Sequence, residues 1–588
     1  MDLLNSVLDD VNGHIHGSVR GFFAKYFDNT SWSSLAKSHG HLTPDLSPLD
    51  AGQTLLAWLQ RADLGPRESF STWHVTPSTR STDPRFYLLS KDSSEFKWAR
   101  VQVIGHMIES EEGSYKEGSY KDGSYKDGLL RLCSLAQNVF EAQPTRLFLH
   151  GLYVYRDSAE PWVFDRGGIY GGEPINIHQD SAHFKTMVVG YTLMDTVQLG
   201  NNPSLEEDAT GRCLISAEVD AKPERVQVEY RPLSSVRDIV GGGTAAYRAR
   251  RASTSGTWDL AVKFKWQLVD DGPVNWLPEE AMLKLVNQRN VWGVVRLLSQ
   301  HDLSSVERLR EGLEFDTPRV FPATAAASNS TANPHVRGVL DFTQPKSQPS
   351  TGGNTIRPFQ NLILSCLVVA PLGKPLQKFN DKLQLLEALR DAIKGHRDLY
   401  NNGILHQDVS IWNVMIVTAS GPGDPKGILI DLDMAAKLED LLPDGRSSVG
   451  IPLFMAIEVL IYKRHTYRHD LESFLYVLLW MSITNRSDGL PEESMMKQWT
   501  KEGDPNQLAA LKHHDMKEEH FETMLHDFDP EFHDVKILAR AFHAIIFPTL
   551  EDGSLFVGTK SDASSAGEMY QAIIDVFDGA IGRLGAKM

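Results

Sequence analysis

His406-Gln407-Asp408-Val409-Ser410-Ile411-Trp412-Asn413 sets a histidine, an aspartate and an asparagine at the spacing H-x-D-x-x-x-x-N. Ile404-Leu405 precedes it and Val414-Met415-Ile416-Val417 follows, so the polar residues read as a loop between two short apolar strands. Asp431 comes eighteen residues after Asn413, where the run Gly427-Ile428-Leu429-Ile430 ends beyond a turn at Gly421 to Pro425. An amide and a carboxylate brought together from such a loop and the next strand end are hard oxygen ligands, suited to Mg²⁺ bridging nucleotide phosphates. Asp408 is then free to orient a hydroxyl and take its proton. Singly, His406 and Asp431 read as well as strand-end residues that bond the backbone. Their order and spacing together point to phosphoryl transfer.

Phosphates also need cations and close backbone N–H groups. Gly241-Gly242-Gly243 lies shortly before Ala261-Val262-Lys263 on a short apolar strand. Glycines let N–H groups approach phosphate oxygens, and a strand lysine in this order reaches the α and β phosphates. A helix starting near Pro278 offers Glu279 as the carboxylate that orients Lys263, with Glu280 as the neighbouring alternative. Without that order, three glycines are a flexible turn and a glutamate in a first helical turn merely favours the helix dipole.

The elements that must position these groups divide the chain in three. Leu55, Trp58 and Leu59 form a helical stripe, and Leu129, Leu132, Cys133, Ala136, Val139 and Phe140 form another. Between them Gly-Ser-Tyr-Lys-(Glu/Asp) repeats three times from Gly113 to Gly128 with no apolar face, which predicts a flexible surface loop over 111–128. Strand-like runs follow at Leu147 to Tyr155 and Trp162-Val163-Phe164, so residues 1–225 read as an α/β domain. Residues 226–372 are β-rich, with a flexible insertion rich in Ser, Thr, Ala and Pro at about 322–358. Helical patterns dominate 373–588.

An acidic excess, 76 Asp and Glu against 59 Lys and Arg for a net charge of −17, argues against a polyanion binder, so no nucleic-acid partner is expected. Cys133, Cys213 and Cys366 are too few and too scattered for a disulfide framework or a metal site, which suggests an intracellular compartment, cytoplasmic or nuclear. The start lacks the basic and apolar pattern of a secretory signal. The most apolar stretch, Leu362 to Leu372, is about half of the roughly 20 residues that span a bilayer, so no membrane partner is expected.

Further phrases tie these motifs to a known family. Gly450 to Leu460 resembles the end of a protein kinase activation segment, and Asp470 follows at the place where those kinases cap the catalytic loop. Gln143 to Leu152, Trp162 to Gly168, Val291-Trp292-Gly293-Val294, Leu309 to Phe315 and Pro371-Leu372-Gly373-Lys374-Pro375-Leu376 resemble the fungal-type protein kinases. The resemblance implies an α+β fold: a bilobal protein-kinase-like body with a β-rich N-lobe and a helical C-lobe, preceded by the α/β domain. It implies ATP and Mg²⁺ as cofactors and transfer to Ser or Thr of a protein substrate. Asp408 then looks like the base, beside His406; Asn413 and Asp431 look like the metal ligands and Lys263 with Glu279 like the ion pair. Gly241, Gly242 and Gly243 look like the phosphate loop, and Val369 falls in the adenine hinge expected within Leu367 to Gly373.

Four departures bear on rate. Gln407 stands where an arginine reads activation-loop phosphate, so activation by that pairing is not expected. Asp433 replaces the glycine of D-F-G, Ile451 replaces the activation-segment threonine while Ser410 replaces its lysine partner, and the third loop glycine is missing. A pseudokinase scaffold that binds nucleotide without efficient turnover is therefore the alternative, and a small-molecule phosphotransferase the next. His513, His514, His520, His526, His533 and His543 read as a solvated acidic helix surface sooner than as a zinc site. Arg248, Arg250 and Arg251 read as the coat of an exposed strand, and Lys463, Arg464, His465, Arg468 and His469 as a surface that prefers acidic residues in a substrate.

Overall fold

The computed structural model describes residues 3–28, 32–34, 71–76, 85–90, 96–108, 123–155, 157–219, 222–253, 256–268, 277–321, 359–417, 421–441, 450–487, 489–501, 503–559 and 563–586. The helical stripe at Leu55 to Leu59 and the insertion at 322–358 lie outside them.

Eight strands make the first sheet: β1 Ile15–His16, β2 Ser71–Thr76, β3 Arg85–Ser90, β4 Val101–Ile108, β5 Phe148–Tyr155, β6 Ser158–Asp165, β7 Gly168–Gly171 and β8 Ile175–Asn176. They run in the order β1-β7-β6-β5-β4-β3-β2, with β8 on β6. The β4–β5 pair is parallel, which demands a crossover, and helix α2 (Gly123–Ala142) supplies it after α1 (Leu3–Val11). Successive residues of β5 alternate between two cores. Leu149 and Tyr153 join α1 and α2, while Leu152 and Val154 join α3 (Ser181–Leu193) on the opposite face.

One expectation fails here. The third copy of the tyrosine repeat is the first turn of α2, and Tyr125 is buried. Its hydroxyl donates to Glu160 Oε2 at 2.6 Å, and its carbonyl accepts from the Tyr153 hydroxyl at 3.2 Å. A tyrosine has an apolar ring to bury and a polar tip to satisfy, so a repeat without an internal apolar face still docks where β6 provides an acceptor. The two earlier copies lie outside the described residues.

The second sheet holds β9 Glu206–Glu207, β10 Cys213–Val219, β11 Lys222–Val228, β12 Ser234–Ser235, β13 Ala245–Arg251, β14 Leu260–Leu268, β15 Arg296–Ser305 and β16 Leu362–Ala370. Its order is β15-β16-β14-β13-β11-β10-β9, with β12 on β13. The expected division at 225/226 falls inside β11. β10 and β11 form one hairpin from Cys213↔Val228 to Val219↔Lys222, and Ile215 and Val219 share a core with Val226 and Val262. Helix α4 (Glu279–Gln288) connects β14 to β15. Past β15, the Arg310 guanidinium forms a fully buried two-point ion pair with Asp165 at the end of β6, which ties the two sheets together.

The rest is mostly helical: α5 Lys382–Asn401, α6 Ile457–Leu460, α7 Tyr467–Thr484, α8 Pro505–Asp515, α9 Lys536–Ile546 and α10 Ala563–Gly585. Every residue of α7 is buried, so it is the spine on which the other helices pack. Two small sheets lie on this body, β17 (Lys374–Pro375) with β19 (Val414–Ile416) and β20 (Gly427–Leu429), and β18 (Ile404–Leu405) with β21 (Ala436–Lys437). Their connections carry the polar loops. Among the described residues no helix is long and apolar enough to cross a membrane.

Candidate active site

The loop from β18 to β19 carries His406, Asp408 and Asn413, and Asp431 follows β20 by two residues. Gln407 (φ +66°) and Asp431 (φ +63°) both hold left-handed backbone. That conformation costs a residue with a Cβ about 1 kcal/mol or more and persists only where surroundings enforce it. Asp470, buried in the first turn of α7, does so by accepting the Gln407 N–H at 3.1 Å, with its carboxylate held at 2.7 Å by both His396 and His465. Burial works to raise the Asp470 carboxyl, but His465 and His396 outweigh it and hold it well below the usual range.

His406 is fully buried, and burial pushes its ring down to about 4. Its Nε2 bonds the Ile430 carbonyl at 3.1 Å, while Nδ1 accepts the Asp408 N–H at 3.3 Å. A neutral ring with both nitrogens spent on backbone is a positioning group. It joins the loop to the strand end that presents Asp431.

Asp408 and Asn413 are bonded to each other: Asn413 Nδ2 donates to the Asp408 carbonyl and to its Oδ2, both at 2.8 Å. That leaves the Asn413 amide oxygen as a candidate ligand. Burial, then the charge of Asp431, pushes the Asp408 carboxyl up to about 7. Gly450, with φ +125°, lies against Asp408 Oδ1, 3.1 Å from where a side-chain carbon would stand. Only glycine fits that approach in that conformation.

Across from this pair, Lys263 on β14 meets three carboxylates: Glu279 at 2.7 Å, Asp431 at 3.0 Å and Asp433 at 3.6 Å. Burial opposes its charge, but Asp431, Asp433 and Glu279 together hold its proton well above the usual range. Lys265, two residues on and so on the same strand face, forms an ion pair with Asp433. Glu280 instead accepts from Gln267 at 3.0 Å, so Glu279 is the partner of Lys263. Burial and the neighbouring Asp433 push Glu279 up to about 7. Oxygens of Glu279, Asp431 and Asp433 lie within 4.8 Å of one another. With every group ionised, the three carboxylates exceed Lys263 and Lys265 by one negative charge, and a bound cation would favour that ionised state of Glu279 and of Asp408. The geometric group therefore includes Asp433, which the motif reading treats only as a departure, while Asn413 stands beside Asp408. The matched i, i+2 spacing of Lys263 with Lys265 and Asp431 with Asp433 is the signal that could have found it.

Ala246 pairs with Lys263, and the glycines extend β13 backward along β14, where the Gly242 carbonyl accepts the Trp266 N–H at 2.8 Å. Gly241, φ +103°, has no neighbour within 4 Å of a would-be side chain. Val369 pairs with Ala261, two residues from Lys263, at the end of β16.

Other expectations separate. Of the basic cluster, Arg468 is buried against Glu472 at 2.6 Å, His469 meets Glu458 at 3.3 Å and His465 meets Asp470, so these three are spent inside the fold and do not form a docking surface. Arg250 and Arg251 line β13 beside Gln227 and Glu224. His543 is buried on the Met516 carbonyl at 2.8 Å, so the helical surface is not solvated throughout.

The sequence that builds this arrangement is similar to known proteins. The model of the family described as fungal protein kinase matches residues 85–482, well over half of the chain. A serine/threonine-protein kinase of Dictyostelium discoideum, pakF, is 30% identical over 115 residues, 20% of this chain and 9% of that relative. The chain thus spans a small part of the curated relative it matches. From β3 in the first sheet to the helix that anchors Gln407 through Asp470, the matched residues contain Lys263, Glu279, His406, Asp408, Asn413, Asp431, Asp433 and Asp470, and the chain belongs to the fungal protein kinase family.

Proposed function

We propose that the protein transfers the γ-phosphate of ATP to serine or threonine hydroxyls of protein substrates. The second sheet with α4 then acts as the N-lobe and the helical body as the C-lobe, with the first sheet as an added α/β domain. The observation that carries the reading is Lys263 held at 2.7 Å from Glu279 and 3.0 Å from Asp431, with Asp408 bonded to Asn413 on the facing loop. In this reading Lys263 draws the nucleotide phosphates toward β14, Glu279 fixes the lysine, and amides of the glycine loop meet phosphate oxygens. Asp408 orients the substrate hydroxyl and accepts its proton, while His406 and Asp470 hold the loop in its left-handed turn. Asn413 and Asp431, backed by the negative excess of Glu279 and Asp433, suit Mg²⁺, which when bound offsets charge on the phosphate oxygens. Val369 lies where the adenine would pack.

The test is Mg²⁺-dependent transfer of labelled γ-phosphate to a generic protein substrate, with Asp408→Asn and Asp431→Ala in parallel. Asp408→Asn is expected to abolish transfer and keep nucleotide binding, and Asp431→Ala to abolish transfer. Binding by the wild type without transfer would move the assignment to a nucleotide-binding scaffold.

A further inference from the structure

The glycine loop is bound on both sides, and one side belongs to the amino-terminal domain. The Asp10 carboxylate, on α1, accepts the Ile239 N–H at 2.8 Å and the Val240 N–H at 3.1 Å, and is itself held by Gln137 from α2 at 2.8 Å. The Ile239 side chain is fully buried in the core made by α1, α2 and the first sheet, beside Val7 and Val11. The Gly241 N–H donates to the Arg166 carbonyl at 2.9 Å, and the Arg166 guanidinium reaches back to the Asp238 carbonyl. That guanidinium lies 4.5 Å over the Phe140 ring. It passes so close to Gly243, whose φ is +44°, that a side-chain carbon there would stand 2.5 Å from its Nε. Opposite, the Gly242 carbonyl is bonded to β14.

We propose that the amino-terminal domain is a clamp on the glycine loop, and that Asp10 is a positioning residue for nucleotide binding. The inference rests on reading Gly241 to Gly243 as the phosphate loop. Its chemistry is a commitment of donors. The amides of Ile239, Val240 and Gly241 are satisfied by Asp10 and Arg166, so phosphate oxygens are met by the amides that follow, from Gly242 on. An unclamped glycine-rich segment samples many conformations and must lose that freedom when a ligand orders it. Here the ordering is done during folding by the two oxygens of the Asp10 carboxylate, the Arg166 carbonyl and one buried apolar side chain, so nucleotide meets a preformed loop. Loss of the clamp lowers the fraction of molecules with a competent loop, which weakens apparent nucleotide affinity by that fraction and leaves the chemical step alone.

The experiment has three arms on the full chain. First, amide hydrogen exchange of the wild type without nucleotide: residues 239–241 are expected to exchange as slowly as the core of β5 and β6, and rapid exchange there would overturn the clamp whatever any variant does. Second, Asp10→Asn, which keeps size and removes charge, is expected to raise the KM for ATP about tenfold with kcat within about twofold. Third, Gly242→Val puts a branched side chain on the loop, where a side-chain carbon would meet nothing nearer than the Trp266 carbonyl at 3.5 Å. If Gly242→Val raises the ATP KM while a folded Asp10→Asn leaves it unchanged, the clamp is wrong and the phosphate-loop reading stands. If Gly242→Val has no effect on ATP KM, the loop reading itself falls and takes the clamp with it.

Discussion

Lys263 and Lys512 are both removed from water, yet they are held by opposite chemistry. Lys263 sits in the cleft among carboxylates of Glu279, Asp431 and Asp433, which keep it charged. Lys512, on α8, is 0% exposed and gives its three protons to the carbonyls of Pro452 at 2.8 Å, Leu453 at 2.9 Å and Met455 at 2.7 Å. The rings of Tyr476 and Trp499 lie 4.5 Å and 4.9 Å from its nitrogen. Burial pushes it down to about 7 against the weaker pull of Glu472. A lysine can trade a carboxylate for a phosphate, and a carboxylate can trade a lysine for a metal cation, so the cleft cluster is exchangeable. Carbonyls are part of the chain, so the second ammonium fixes backbone shape. It fixes the segment after Gly450, which resembles a substrate-docking platform, without the arginine that Gln407 replaces.

The largest effect should come from Lys263→Met. It removes the cation that bridges Glu279 and Asp431, and transfer should fall about 100-fold to 1,000-fold, the scale for losing a positioned electrostatic group. Lys512→Met should leave nucleotide binding near normal and cost about 3 kcal/mol of unfolding free energy, because three buried carbonyls lose their donor. Chemical denaturation beside an ATP-binding titration checks both. If Lys512→Met instead abolished ATP binding at unchanged stability, the division of labour between the two lysines would be wrong. Lys265→Met is smaller: Asp433 loses its partner while Lys263 remains at 3.6 Å, so kcat should drop roughly fivefold to tenfold. A larger loss would make Lys265 an equal member of the cluster.

The difference between the two sites also explains what could be read from sequence. Asp408, Asn413 and Asp431 were legible because loop chemistry is local: a few polar residues bounded by apolar strands leave a pattern within thirty positions. Lys263 and Glu279 were legible only through their order relative to those loops. Lys512 left no pattern, since its acceptors are backbone carbonyls some sixty residues upstream and any residue type supplies a carbonyl. The inward turn of Arg468 and His469, which on composition alone read as a basic surface, and the burial of Tyr125 depend instead on side-chain acceptors, Glu472, Glu458 and Glu160, and only the packed fold decides that these face inward. The start of the second sheet is hard to read because β11 opens on Lys222, Pro223, Glu224 and Arg225, which offer no buried apolar residue before Val226.

A titration separates the two ammonium sites most finely. Lys512 has a native value of about 7, below the 10.5 of an unfolded lysine. Between those values the unfolded chain binds more protons than the native one, so this group makes the fold more stable as pH rises from 7 toward 10.5. Lys512→Met lacks the term. The stability gap between wild type and variant should therefore widen by about 1 kcal/mol from pH 7 to pH 8. Lys263, held above its ordinary value, contributes the opposite sign: its stabilisation is complete at these pH values and is lost only well above them. Denaturation midpoints of wild type and Lys512→Met at the two pH values measure the gap. A flat gap would mean that three carbonyls and two aromatic rings hold an ammonium as firmly as three carboxylates do, and the contrast between the two regions would disappear.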